Sequence, residues 1–282
     1  MNPLTPTDHS RDSAGLRYVY PVVSRRAGGV SVGVNLNIDN ACNWRCIYCQ
    51  VPELARGTAP PVDLALLERE LSGFLRELLH GDFMRQRVPE GMRRINDIAL
   101  SGNGEPTSAA EFAEVIDCIA RVREAAGLDA TVKTVLITNG SLTHRENVQR
   151  GLRRMNEING EVWFKLDRAS ETGMRLVNDT HTAMDKVRSH FATAAALCPT
   201  WLQTCWFALD GEPPSAQDEA DYLALLADLL RDGTKVRGVL LYTLARPSLQ
   251  PEAPRLTALS LEQMEGFAAR IRALGVEVRV SV

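Results

Sequence analysis

The chain is expected to fold as an α/β protein, a partial (β/α)6 TIM-like barrel with parallel strands, helices outside and an N-terminal extension. Three observations predict this. Runs rich in β-formers alternate with segments of helical period, six times in succession. Ser- or Thr-led capping boxes stand before three of those helical segments, at Ser108, Thr143 and Ser260. Polar stretches follow five of the six predicted strands, at the end where parallel α/β folds gather functional groups. Repeated βα units give right-handed crossovers with the helices packed outside. A closed eight-unit barrel takes about 250 residues, and two of its units are missing here. An open doubly wound sheet has the same periodicity and is the competing topology.

The 282 residues, with a net charge of −3, fit one core near the upper size for a single domain. The expected division is an extension over 1–30 and a barrel domain over 31–282. A nearly balanced charge gives no global attraction to nucleic acid, so an RNA partner would need a local basic patch. Met1 to Gly15 is polar, carries Pro3 and Pro6 and lacks the apolar centre of a signal peptide. No later run approaches the roughly twenty apolar residues that cross a bilayer. The expectation is a cytoplasmic protein without a membrane partner.

In chain order, residues 1–16 read as a mobile arm and Tyr18 to Gly29 as an extended segment or hairpin, with Arg25 and Arg26 as solvated charges. Val30 to Ile38 alternates apolar and polar residues and is the first strand of the barrel. Asp63 caps a helix with Leu64, Leu67, Leu71, Phe74 and Leu78 on one face, and Met84 to Arg94 is a loop. Ile95 to Leu100 is the second strand. The Ser108 box then opens a helix bearing Phe112, Val115, Ile116, Ile119 and Val122. Val132 to Ile137 is the third strand, and the Thr143 box precedes Val148, Leu152 and Met155. Glu161 to Leu166 is the fourth strand, and a long connection leads to a helix near Ala183 to Leu197. Trp201 to Leu209 is the fifth strand, followed by a helix over Tyr222 to Leu230. Val236 to Leu241 is the sixth, the Ser260 box opens the last helix, and Val276 to Val282 adds a terminal strand.

Chemistry concentrates in Cys42-Asn43-Trp44-Arg45-Cys46-Ile47-Tyr48-Cys49, three thiols spaced C-x3-C-x2-C. A structural zinc site closes four protein ligands, whereas a four-iron cluster can keep one iron free of protein. No second C-x2-C or H-x3-H pair stands at a zinc-finger distance, which leaves mononuclear zinc with a histidine as the weaker reading. Six cysteines without a secretory leader do not make a disulfide framework. Cys118, Cys198 and Cys205 read as buried free thiols, since a pair is too few for an auxiliary cluster.

The other candidates follow predicted strands: Ser101-Gly102-Asn103-Gly104-Glu105-Pro106-Thr107, Thr138-Asn139-Gly140-Ser141, Lys165-Leu166-Asp167 and Tyr242-Thr243-Leu244-Ala245-Arg246-Pro247. Asn139 is either a hydrogen-bonding ligand or an Asn-Gly turn. Lys165 and Asp167, two apart on a strand, offer a cation and an acceptor, or a plain ion pair. Arg246 has the planar fork that grips a carboxylate or phosphate, and Tyr242 either donates a hydrogen or packs. Gln203 and Thr204 are weaker candidates.

The cysteine spacing, with Tyr48 before the last thiol, resembles the motif of the radical S-adenosylmethionine (SAM) superfamily. That resemblance implies a [4Fe-4S] cluster on Cys42, Cys46 and Cys49 whose fourth iron is chelated by SAM. It further implies cleavage of SAM to a 5'-deoxyadenosyl radical that abstracts hydrogen from a substrate, and an electron donor such as flavodoxin or ferredoxin. By the same resemblance Tyr48, Gly102, Gly104, Glu105, Pro106, Asn139, Lys165 and Asp167 hold SAM, with Glu105 on its ammonium, and Tyr242 and Arg246 face substrate. Taken together the motifs look like the bacterial group related to the tRNA wybutosine-base-forming enzymes, although the second cluster of the tRNA enzymes has no evident equivalent here. A tRNA base, a small metabolite and a peptide all stay open as substrates. The alternative function is an iron-sulfur electron-transfer or sensing protein that does not cleave SAM.

Overall fold

The computed structural model describes residues 15–24 and 28–282. The arm expected before them, and Arg25 and Arg26, lie outside the described residues. The elements in chain order are β1 (Val19–Ser24), β2 (Gly29–Val34), the short pair β3 (Ala41–Cys42) and β4 (Ala55–Arg56), α1 (Leu64–His80), α2 (Phe83–Arg87) and β5 (Ile95–Leu100). There follow α3 (Phe112–Ala125), β6 (Lys133–Thr138), α4 (Glu146–Glu157), β7 (Gly160–Lys165), α5 (Glu171–Asn178), α6 (Met184–Leu197), β8 (Thr200–Cys205) and β9 (Phe207–Leu209). The chain ends with α7 (Ala216–Arg231), β10 (Val236–Tyr242), β11 (Leu256–Ala258), α8 (Leu261–Arg272) and β12 (Val278–Ser281).

One sheet carries the fold, in the order β1-β2-β5-β6-β7-β8-β10-β12. β1 pairs antiparallel with β2 in the expected hairpin; every later neighbour is parallel. Six βα units thus wind in sequence, and among the described residues no ladder joins β12 to β1, so the barrel is partial as expected.

Each helix is seated by the apolar stripe read from its period. Leu67, Leu71, Phe74 and Leu78 of α1 are buried, as are Phe112, Val115, Ile116, Ile119 and Val122 of α3. The Asp63 carboxylate accepts from Leu66 N at 2.9 Å and starts α1. The Ser260 box is formed, with Ser260 and Gln263 each accepting from the other's backbone.

The other two boxes are not. Ser108 closes a 3-10 turn, its hydroxyl donating to Glu105 O and accepting from Ala59 N, and α3 starts four residues later. Thr143 donates to Gly140 O and His190 O, and α4 begins at Glu146 without a side-chain cap. In both places tertiary acceptors capture the hydroxyl that local pattern assigns to a cap.

Strand ends differ for similar reasons. β2 stops at Val34, because Asn35 Oδ1 takes Asn37 N and Asn103 N, and Asn37 Nδ2 donates to Ala41 O, replacing ladder bonds. The fifth predicted strand divides: Trp206 N reaches across to Tyr242 O, and Phe207–Leu209 pairs with β11 instead. The long connection after β7 contains α5, capped by Ser170, and the predicted loop 84–94 opens with α2.

Candidate functional site

The cysteine segment leaves β2 at the C-terminal edge of the sheet, where the β3–β4 ladder closes its base. Its backbone is pinned from one side by α5, Arg45 N donating to Asn178 O and Ile47 N to Val177 O. Cys42, Cys46 and Cys49 are unbridged and half-buried, and all three line one cavity of about 1060 Å³. Tyr48, Gly102, Gly104, Glu105 and Asn139 share its wall. Lys165, Tyr242 and Arg246 line it from the ends of β7 and β10. Pro106 and Asp167 do not.

Glu105 is buried, and its carboxylate ties β5 to β6. Oε1 accepts from Thr107 N at 3.1 Å, Thr107 Oγ1 at 2.6 Å and Thr138 Oγ1 at 2.6 Å, and Oε2 accepts from Asn139 N at 2.6 Å. Burial raises its pKa, and these four donors act against that rise. One lone pair of Oε2 is thereby left for a ligand donor. The two glycines before it serve a close backbone approach: a Cβ on Gly102 would collide with Asn35 Oδ1, and one on Gly104 with Ala41 O.

Asn139 forms the turn that its Asn-Gly pair suggests, Oδ1 accepting from Ser141 N and Oγ, with Gly140 at φ +70°. Its amide also donates to Asn43 Oδ1 at 2.8 Å, which docks the cysteine segment on β6.

Asp167, expected as an acceptor for SAM, turns its carboxylate to the protein. Only 1% exposed, it accepts from Cys205 N at 2.8 Å, Tyr48 Oη at 2.6 Å and Asn178 Nδ2 at 2.7 Å. The same Asn178 amide donates to Cys46 Sγ at 3.2 Å. Asp167 is thus the internal anchor of the cysteine segment, and Tyr48 is its tether. Lys165 donates to Tyr242 Oη at 3.1 Å and lies over the rings of Tyr48 and Tyr242, at 4.9 and 5.8 Å from their centroids. Desolvation disfavours its charge, but Tyr242, Asp167 and the neighbouring thiols outweigh that and hold the ammonium well above its ordinary range.

Burial pushes the Cys42 and Cys46 thiols up to about 12, so each is protonated until a cation arrives. Among the described residues no three His, Cys, Asp or Glu side chains converge on one metal ion. Three unbridged thiols on one cavity are a donor set for a cluster that keeps one iron free of protein, whereas closed structural zinc takes four ligands. The residues present therefore fit a cluster with three protein ligands, beside a space large enough for a second molecule. Cys198 and Cys205 are buried and unbridged, and Cys205 faces the cavity.

Sequence reasoning missed several members of the site. Asn178 sits on a helix that sequence reading left as a connection. Ser248 and Gln250, which hold Cys49 O, are two hundred residues away from it in the chain. Gln203, 5% exposed and lining the cavity, has no partner for its Oε1 among the described residues. Unlike Asn178, Ser248 and Gln250, it is among the weaker candidates named from the sequence, together with Thr204.

The partial barrel is similar in fold to several solved structures. It matches the radical SAM methyltransferase from Sphaerobacter thermophilus with a TM-score of 0.62 at 14% identity, over 100% of this chain and 77% of the other. SuiB of Streptococcus suis bound to its precursor peptide SuiA gives 0.60 at 10% identity, over 90% of this chain and 48% of SuiB, so this chain spans about half that protein's length. Spore photoproduct lyase gives 0.53 at 12% identity, over 86% and 74% of the two chains. At such identities the likeness is one of fold.

By sequence, the chain is similar to the UPF0026 proteins. It is 26% identical over 243 residues to that of Helicobacter pylori strain J99, 84% of this chain and 68% of the relative. It is 26% identical over 174 residues to that of Methanocaldococcus jannaschii, 59% and 46% of the two. No protein-family model matches.

Proposed function

We propose that this protein is a radical SAM enzyme in which Cys42, Cys46 and Cys49 hold a [4Fe-4S] cluster and SAM occupies the neighbouring part of the cavity. The observation that carries the proposal is the set of three free thiols lining one large cavity at the C-terminal ends of parallel strands. When bound, the cluster and SAM supply one-electron cleavage to a 5'-deoxyadenosyl radical, chemistry that belongs to the cofactors. The chain's own residues do the positioning. Tyr48, Asp167 and Asn178 fix the ligand segment; Glu105 and the backbone around Gly102 and Gly104 receive the amino-acid part of SAM; Lys165 supplies positive charge for its carboxylate. Tyr242, beside Lys165, and Arg246, whose carbonyl accepts from Gln50 of the cysteine segment, face substrate.

An external one-electron donor such as flavodoxin or ferredoxin belongs to this reading, as does a cytoplasmic location. Among the described residues no helix is long and apolar enough to cross a membrane. The motif resemblance to the wybutosine-base-forming group makes a tRNA base one candidate substrate, beside a small metabolite and a peptide. Anaerobic reconstitution should give a brown protein with a four-iron cluster that forms 5'-deoxyadenosine from SAM and dithionite, and Cys46→Ala should lose both properties. A fully loaded cluster that leaves SAM intact would overturn the proposal in favour of electron transfer or sensing.

A further inference from the structure

A strap formed by residues 246–252 after β10 lies along the far side of the cysteine segment, and its polar groups converge on a single carbonyl. Cys49 O accepts from Leu249 N at 2.9 Å, Ser248 Oγ at 3.1 Å and Gln250 Nε2 at 3.4 Å. The same hydroxyl also reaches Ile47 O at 2.8 Å and accepts from Gln250 N at 3.0 Å, and the same amide donates to Val51 O at 3.0 Å. Gln50 Nε2 returns a bond to Arg246 O at 3.2 Å, and Arg45 pairs with Glu252 at 2.6 Å at the outer end. Ser248 and Gln250 are both more than nine-tenths buried.

The single Ser248 proton is shared between Ile47 O and Cys49 O, and the Gln250 amide between Cys49 O and Val51 O, so the strap ties successive carbonyls around the third thiol. Cys46 is already fixed through Asn178, and Cys42 through the β3–β4 ladder and Trp44 N. For Cys49 the backbone N–H goes to Cys46 O within the segment, and among the described residues the bonds that reach it from outside the segment come from the strap. Its place along the cavity wall is therefore set from the strap. The geometry points to Ser248 and Gln250 as positioning residues for Cys49, holding the third thiol at the spacing a cluster needs. The strap also carries Arg246 on the cavity wall, so one segment aligns a cluster ligand and a substrate-facing cation.

The inference rests on the proposed cluster, and the test separates the two. Full-length protein is reconstituted anaerobically as wild type, Ser248→Ala, Gln250→Leu, Ser248→Thr and the control Glu252→Gln, which loosens only the outer ion pair. Iron release to a chelator and the EPR spectrum of the dithionite-reduced cluster are then recorded, with thermal unfolding of the metal-free chains alongside. Loss of an outer hydrogen-bond partner of a metal ligand typically costs about 10–100-fold in affinity. Because Ser248 and Gln250 hold the backbone of Cys49 rather than its sulfur, iron release should accelerate by up to about tenfold in Ser248→Ala and Gln250→Leu, with an altered EPR line shape. Ser248→Thr, which keeps the hydroxyl, should restore the wild-type rate and spectrum. Wild-type release and spectra in both variants would overturn the inference while leaving the cluster standing. So would an equal loss in Ser248→Thr or Glu252→Gln, because the effect would then be general loosening. Failure of the wild type to bind iron would instead overturn the proposed function, and this inference with it.

Discussion

Replacing Asp167 with alanine separates an anchoring carboxylate from a SAM-binding one. The substitution strips the acceptor from Cys205 N, Tyr48 Oη and Asn178 Nδ2, all enclosed at a residue 1% exposed. A buried donor left without a partner costs about 1–3 kcal/mol. The three losses share one site and do not add fully, which gives about 3–6 kcal/mol. That is a large part of the roughly 5–15 kcal/mol that holds a domain folded. Urea unfolding of the metal-free full-length chain measures it directly, with the midpoint lowered and the slope unchanged. Asp167→Asn keeps the shape and one acceptor oxygen, and should recover part of the loss. If Asp167→Ala unfolds at the wild-type midpoint and only SAM affinity falls, the anchoring role is wrong and the SAM contact expected from sequence is right.

Three further outcomes follow from particular contacts. Burial raises Asp97 from its ordinary 3.8 to about 6, against a hydrogen bond from Ser31, with Glu161 adding to the rise and Lys133 opposing it. A raised carboxylate contributes stability below its unfolded pKa and loses it as pH climbs through the folded one. Wild type should therefore lose about 2 kcal/mol relative to Asp97→Asn between pH 4 and about 6.5, and a pH-independent difference in unfolding free energy would refute this. Gln203→Leu removes a buried oxygen that has no partner among the described residues, so stability should hold or rise by about 1 kcal/mol; a loss larger than that on thermal or urea unfolding would show that the amide is satisfied. Gly104→Ala forces a methyl group onto Ala41 O and should cost about 1–3 kcal/mol of overpacking strain, together with reduced iron incorporation on anaerobic reconstitution.

The barrel was legible because its signals are local. Strand and helix periods alternate without interruption, and Ile95 to Leu100 begins and ends where the alternation says. Helix starts were less so: Ser108 and Thr143 satisfy the capping pattern yet bond to partners brought by other segments, and no local rule contains those partners. The same divide runs through the site. The cysteine spacing names its ligands from eight residues of sequence. Asp167, by contrast, resembles a ligand group as long as its surroundings are unknown. Its anchoring role rests on Tyr48, Asn178 and Cys205, whose approach is a property of the closed fold. Ser248 and Gln250 carried no signal at all, since a serine and a glutamine beside prolines look like any loop.

The unjoined margins of the sheet bear on what the molecule can admit. Tyr20 and Val22 of β1 and Val280 of β12 both border the hollow, yet among the described residues no ladder stitches one strand to the other. An eight-stranded barrel that does close packs its bore with its own side chains. Here no backbone ladder fixes the seam among the described residues, and strand curvature with side-chain packing sets its width. The bore is therefore not closed by backbone pairing, and the room beside the three thiols stays available to a guest.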